Sequence, residues 1–150
     1  LPLAREAAEK YSRDQVSTLE KTAEPFTRAL EKGESLFREG NKEDATQPVF
    51  DALEGGMQAG LVAEESINAL GYVYLNSGKT EMAVAVLTFN VKQFPASSNA
   101  YDSLGEALMR AGRIDESILN YRKAVELDPG NGNAKKLIEK MEKQKKAGKK

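Results

Sequence analysis

Residues 64–97 read EESINALGYVYLNSGKTEMAVAVLTFNVKQFPAS, and residues 98–131 read SNAYDSLGEALMRAGRIDESILNYRKAVELDPGN. Laid over one another, they place the same residue types at the same steps. Ile67, Leu70, Gly71, Tyr74, Gly78, Ala83, Leu87 and Pro95 in the first are answered by Tyr101, Leu104, Gly105, Leu108, Gly112, Ser117, Tyr121 and Pro129 in the second, each pair 34 residues apart. Self-similarity at such a period points to a helical array. Within each copy the apolar residues keep helical spacing, as in Ile67, Leu70, Tyr74 and then Ala83, Val86, Leu87, so each copy predicts two amphipathic helices. Gly78 and Gly112 fall where those helices join, and glycine accepts the left-handed conformation that closes a last turn. Gly71 and Gly105 fall inside helices, where glycine costs roughly 1 kcal/mol against alanine, so close approach of the paired helix is expected there. Pro95 and Pro129 stop the second helix of each pair.

This register resembles the tetratricopeptide repeat family, most closely at Ala-Tyr-Asp-Ser-Leu-Gly-Glu-Ala (100–107) and Ala-Val-Glu-Leu-Asp-Pro (124–129). Leu108, Ser117, Leu87 and Asn90 depart from the family pattern, which prefers Tyr, Ala, an aromatic and Ala at those steps. The resemblance implies an all-α helix-turn-helix solenoid in which the first helix of each pair lines a concave groove.

A more divergent copy is placed from Phe26 to Ala59, with Gly33, Leu36, Gly40, Ala45, Val49 and Ala52 in register, followed by an insertion, Gly60 to Ala63. Lys32 and Met57 stand there in place of the usual leucine and closing proline. Residues 3–23 read as a further amphipathic helix with Ala4, Ala7, Ala8 and Tyr11 on one face, and Pro25 opens the next helix. Ala134, Leu137, Ile138 and Met141 make a narrow apolar stripe on a final capping helix. The expectation is one domain of seven or eight helices with hardly any strand. It comprises an N-terminal helix (1–25), a divergent repeat (26–63), two repeats (64–97 and 98–131), and a capping helix with a basic tail (132–150).

Of the 150 residues 40% are hydrophobic and 30% charged, an ordinary balance for one water-exposed domain. No apolar run approaches the roughly 20 residues of a membrane span. No secretory leader is evident, and a chain beginning at Leu1 reads as a processed or excised segment, which leaves the compartment open. The net charge of -1 hides an asymmetry. Residues 135–150 hold eight Lys and two Glu, or +6, against 14 basic and 21 acidic residues elsewhere, or -7. The lysine-rich end is expected to be a frayed, solvated tail, and with no aromatic residue interleaved it does not read as a dedicated nucleic-acid site.

Without His or Cys the chain lacks the apparatus of Ser-His-Asp or Cys-His catalysis and the usual zinc ligands, so no catalytic residue, metal or cofactor is assigned. Ser77-Gly78-Lys79-Thr80 imitates the end of a phosphate loop, but Val73 fills the first glycine position and a helix precedes it where a strand is needed. Asp128 and Glu139 have the end-to-end spacing of a calcium loop, with Gly130 and Gly132 where oxygen ligands belong. Both read as turns.

Function is therefore expected from surface shape. The resemblance points steps 2, 5, 6, 9, 12 and 13 of each first helix into the groove: Glu65, Asn68, Ala69, Tyr72, Leu75 and Asn76, then Asn99, Asp102, Ser103, Glu106, Met109 and Arg110, with Glu31, Glu34 and Arg38 among the contributions of the divergent copy. Relatives that hold an acidic C-terminal peptide use Lys and Asn at such steps; acids stand in place of the lysines here. Asn68, Tyr72 and Asn76 recur every four residues, giving amides able to grip a peptide backbone and one aromatic anchor. The leading expectation is a non-catalytic protein-interaction scaffold whose partner is a peptide or helix carrying basic residues, with self-association open.

Phe89-Asn90-Val91 and residues 95–106 also resemble the repeat variant appended to bacterial serine-hydrolase and esterase-like proteins, which implies an accessory or oligomerisation module as the alternative. An enzyme in its own right is the third, though no base for it is in sight. Asn90 itself is expected to bond the loop before the following helix.

Overall fold

The computed structural model describes residues 23–149, and the helix expected over residues 3–23 lies almost wholly outside them. Among the described residues there are seven helices and no strand. They are α1 over residues 23–38, α2 (Lys42–Gln58), α3 (Glu64–Asn76), α4 (Thr80–Gln93), α5 (Ser98–Arg110), α6 (Ile114–Leu127) and α7 (Gly132–Gly148). The chain divides into two compact units between Leu61 and Val62.

In the first unit, α1 and α2 are joined at Gly40, whose φ is 82°. Leu30, Ala45, Val49, Ala52 and Leu53 are buried. A Cβ on Gly33 would stand 2.4 Å from Val49 Cγ2, so the two helices touch where the glycine leaves room. Pro48 lies inside α2, flanked by the in-register Ala45, Val49 and Ala52, where packing overrides the break a proline usually makes. α2 runs on to Gln58 and closes at Gly60, φ 70°, because Met57 stands where a proline would have stopped it.

The second unit repeats the same construction twice. α3 turns into α4 at Gly78 (φ 75°) and α5 into α6 at Gly112 (φ 76°). At each joint the next amide reaches back five residues, Lys79 N–H to Tyr74 O at 2.9 Å and Arg113 N–H to Leu108 O at 2.9 Å, which satisfies carbonyls the helix end leaves open. Ser77-Gly78-Lys79-Thr80 is thus a helix-to-helix turn. Gly71 lies against Leu87 and Gly105 against Tyr121, both 16 residues on, as Gly33 does against Val49. The core between pairs comprises Leu75, Ala83, Val84, Leu87, Leu104, Ala107 and Leu108. A second cluster of Ile118, Tyr121, Ala134 and Met141 seats α7.

Two departures from the consensus are explained by hydrogen bonds. Ser117 Oγ donates to Gly105 O at 2.7 Å, bridging the helices where they are closest. Asn90, wholly buried, donates through Nδ2 to Glu64 O at 3.3 Å, which is the start of α3 and not the loop expected. The equivalent junction of the next pair is built in reverse, with Ser98 Oγ donating to Ala124 O at 2.9 Å. Asp128 Oδ1 accepts from Gly130 N–H at 3.0 Å and so closes a local turn.

The lysine-rich end is not frayed, as helix α7 continues to Gly148. Its Ala, Lys, Glu and Gln residues are strong helix formers, and Lys145 to Asp115 and Arg122 to Glu142 tie it to α6.

Candidate functional site

One face of the second unit is formed by α3, α5 and the start of α7, and its side chains are linked in a chain. Tyr72 on α3 donates its hydroxyl to Glu106 Oε2 on α5 at 2.7 Å. Glu106 Oε1 accepts from Arg110 Nη2 at 2.6 Å, one turn along the same helix, and Arg110 Nη1 reaches Asn76 Oδ1 on α3 at 3.4 Å. Both cross-helix bonds join residues 34 apart, so equal steps of adjacent repeats are neighbours. Further along α5, Asp102 Oδ1 accepts from Asn131 Nδ2 at 2.7 Å, while Asn131 Oδ1 caps α7 by accepting from Ala134 N–H at 3.0 Å.

Burial raises the Tyr72 phenol to about 12, with the bond to Glu106 and the negative charges of Glu106 and Asp102 acting in the same sense and the Ser103 hydroxyl against them. Tyr72 is therefore a neutral donor and ring, unable to serve as a base near neutrality. Tyr121 rises beneath the same acids, again chiefly through burial. The Asn68 side-chain oxygen is buried and accepts no hydrogen bond, and an orphaned buried acceptor costs about 1–3 kcal/mol. The arrangement supplies an aromatic surface, one unmet acceptor and a guanidinium whose side chain is 44% exposed. These are groups that hold a polar chain in place.

Tyr72, Asn76, Glu106 and Arg110 are brought together, and Asp102 joins them through the α5 backbone. Asn68 sits one turn before Tyr72, while Glu65 and Asn99 are exposed at the helix starts. Glu34 and Arg38 lie on α1 of the first unit, half-buried and exposed respectively. Two of the acids expected to present free charge are already engaged, Glu106 by Tyr72 and Arg110, Asp102 by Asn131. Asn131 was missing from the expected set; an asparagine just ahead of an apolar-periodic run is a helix-cap signal that marks it.

Among the described residues no group of three or more His, Cys, Asp or Glu could hold a metal ion, and no helix is long and apolar enough to cross a membrane.

Residues 98–131 and 64–88 each match the family profile of the tetratricopeptide repeat. The small glutamine-rich tetratricopeptide repeat-containing protein 2 of Mycosarcoma maydis is 31% identical over 118 residues, covering 75% of this chain and 33% of that protein. The chain thus spans about a third of the length of that curated relative. Among solved structures, a mutant of MamA is similar at TM-score 0.65 and 26% identity, covering 79% of this chain and 84% of that one. The first TPR domain of Spaghetti (RPAP3), solved bound to an HSP90 peptide, SRMEEVD, is similar at TM-score 0.55 and 21% identity, covering 81% and 94%. The second half of this chain therefore carries two tetratricopeptide repeats, at residues 64–88 and 98–131, within an all-α helical repeat fold.

Proposed function

We propose that the chain is a non-catalytic scaffold that holds a peptide or helix of a partner protein across α3 and α5. The observation that carries this reading is the Tyr72–Glu106–Arg110–Asn76 chain, which fixes an aromatic ring and a guanidinium on one face. Fixed side chains lose little entropy on binding. Glu65 and Asn99 extend the face toward the helix starts. Glu65, exposed there, supports a basic residue at that end of the partner. The peptide recognised by the RPAP3 domain is a precedent for the fold.

Panning a random peptide library on the full chain tests the reading. Selected peptides should lose about tenfold or more in affinity on Tyr72→Ala, the behaviour of an aromatic anchor. Peptides that bind with unchanged affinity to Tyr72→Ala and Asn68→Leu would refute it.

A second reading, an accessory or oligomerisation module of a larger bacterial hydrolase, rests on residues 89–91 and 95–106. A Ser-x-x-Lys or Gly-x-Ser-x-Gly segment encoded ahead of Leu1 would favour it.

A further inference from the structure

The rule that equal steps of adjacent repeats are neighbours extends one helix further than the two repeats. α7 begins 34 residues after α5 and holds the same register, with Ala134 buried as Ala100 is and Met141 buried as Ala107 is. Asn131 bonds Asp102, and Met109 of α5 and Leu137 of α7 both pack against the cluster of Ile118, Tyr121, Ala134 and Met141, so the start of α7 lies beside α5. Lys136 then follows Asn68 and Asp102 at step 5, Lys140 follows Tyr72 and Glu106 at step 9, and Lys143 follows Leu75 and Met109 at step 12. All three are exposed and form no ion pair, whereas Lys145 is held by Asp115 and Lys135 by Pro129 O. Glu106 is matched by Arg110, and Glu139 stands at step 8, away from this row. Asp102 is thus the acid left to face three lysines.

Resting on the peptide-holding reading above, we propose that Lys136, Lys140 and Lys143 form a cationic third wall of the site and take an acidic segment of the bound peptide. The site then has polarity: the partner's glutamate- or aspartate-rich stretch lies on α7 and its apolar portion on Tyr72. The residue types argue for a peptide over nucleic acid, because no aromatic ring stands among these lysines to stack a base.

Fluorescence anisotropy on the full chain decides it. The probes are a labelled peptide with an apolar half and a glutamate-rich half, the same peptide with lysines in place of the glutamates, and an uncharged Gly-Ser version. The glutamate peptide should bind tightest, with affinity falling as salt screens charge beyond about 8 Å at physiological strength. Lys136→Glu with Lys140→Glu should weaken it at least tenfold and improve the lysine peptide, while Lys149→Glu, past the last turn of α7, should leave both within about twofold. An unchanged affinity after reversal at 136 and 140, or capture of oligouridine or phosphatidylserine vesicles in place of the glutamate peptide, would overturn the proposal. Weakening by Tyr72→Ala without any effect of the lysine reversals leaves the peptide-holding face standing and removes the third wall; the opposite pattern keeps the wall and removes the face.

Discussion

Replacing Gly71 by alanine puts the helix-pair contact to a test of sign. A mid-helix Gly→Ala change ordinarily stabilises by roughly 0.5–1 kcal/mol, because alanine loses less backbone freedom on folding. At Gly71 the new Cβ would lie 2.5 Å from Leu87 Cδ2 and Cγ and 3.0 Å from Cδ1, well inside van der Waals separation. Leu87 is fully buried, so it has no solvent-side rotamer to retreat into. Overpacking of this kind costs about 1–3 kcal/mol, which leaves a net loss of roughly 0.5–2 kcal/mol. Gly55 in α2 supplies the comparison, since a Cβ there meets nothing within 4 Å. Gly55→Ala should therefore stabilise by about 0.5–1 kcal/mol. Urea melts of the full chain followed by circular dichroism should move in opposite directions for the two variants. If Gly71→Ala raises the midpoint as Gly55→Ala does, α3 and α4 do not meet at Gly71 and the repeat register fails with them.

Leu104→Ala, which truncates a side chain buried in the inter-repeat core, should cost about 2–5 kcal/mol in the same melts, and a parent-like midpoint would contradict that packing. Asn90→Leu should be neutral or stabilise by up to about 1 kcal/mol, because it exchanges one long bond to Glu64 for the relief of a buried oxygen with no partner; a large loss in thermal stability would show that the amide is better satisfied than it looks. In its folded setting Tyr72 keeps its proton to about 12, against an ordinary phenol value of 10.0. Between those pH values the unfolded chain sheds a proton that the folded chain retains, so the Tyr72 share of stability is whole below pH 10 and is lost as pH climbs toward 12. Tyr72→Phe should flatten that alkaline decline; equal slopes in parent and variant would count against the buried setting of the phenol.

The helical array was legible because its causes are local and repeated. Gly78 and Gly112 must turn the chain left-handed, Pro95 and Pro129 must stop it, and both do so at one period. The helix through Pro48 was legible too, since Ala45, Val49 and Ala52 keep one register across it and tertiary packing overrides the usual break, but the partner of Asn90, Glu64 O, was not. Nor was the order of the C-terminal lysines, which depends on Asp115 and Glu142 meeting α6 and α7 partners 20 to 30 residues away. The site followed the same division. Steps 9 and 13 put Tyr72, Glu106, Asn76 and Arg110 in one row, and hydrogen bonds link the four, yet counting acids missed that Glu106 and Asp102 are already bonded. A bond from neutral Asn131 or Tyr72 orients a carboxylate without cancelling its charge, and of the two acids Glu106 alone has a cation, Arg110, beside it.

The most direct test of the peptide-holding face is a nitrogen-15 NMR titration of the full chain with a library-selected peptide, watching the side-chain amides as well as the backbone. Shifts should concentrate on Asn68, Tyr72, Asn76, Glu106 and Arg110, with the Asn76 amide moving as the partner displaces or joins its bond to Arg110. Shifts confined to α4 and α6, with those five residues still, would contradict the account.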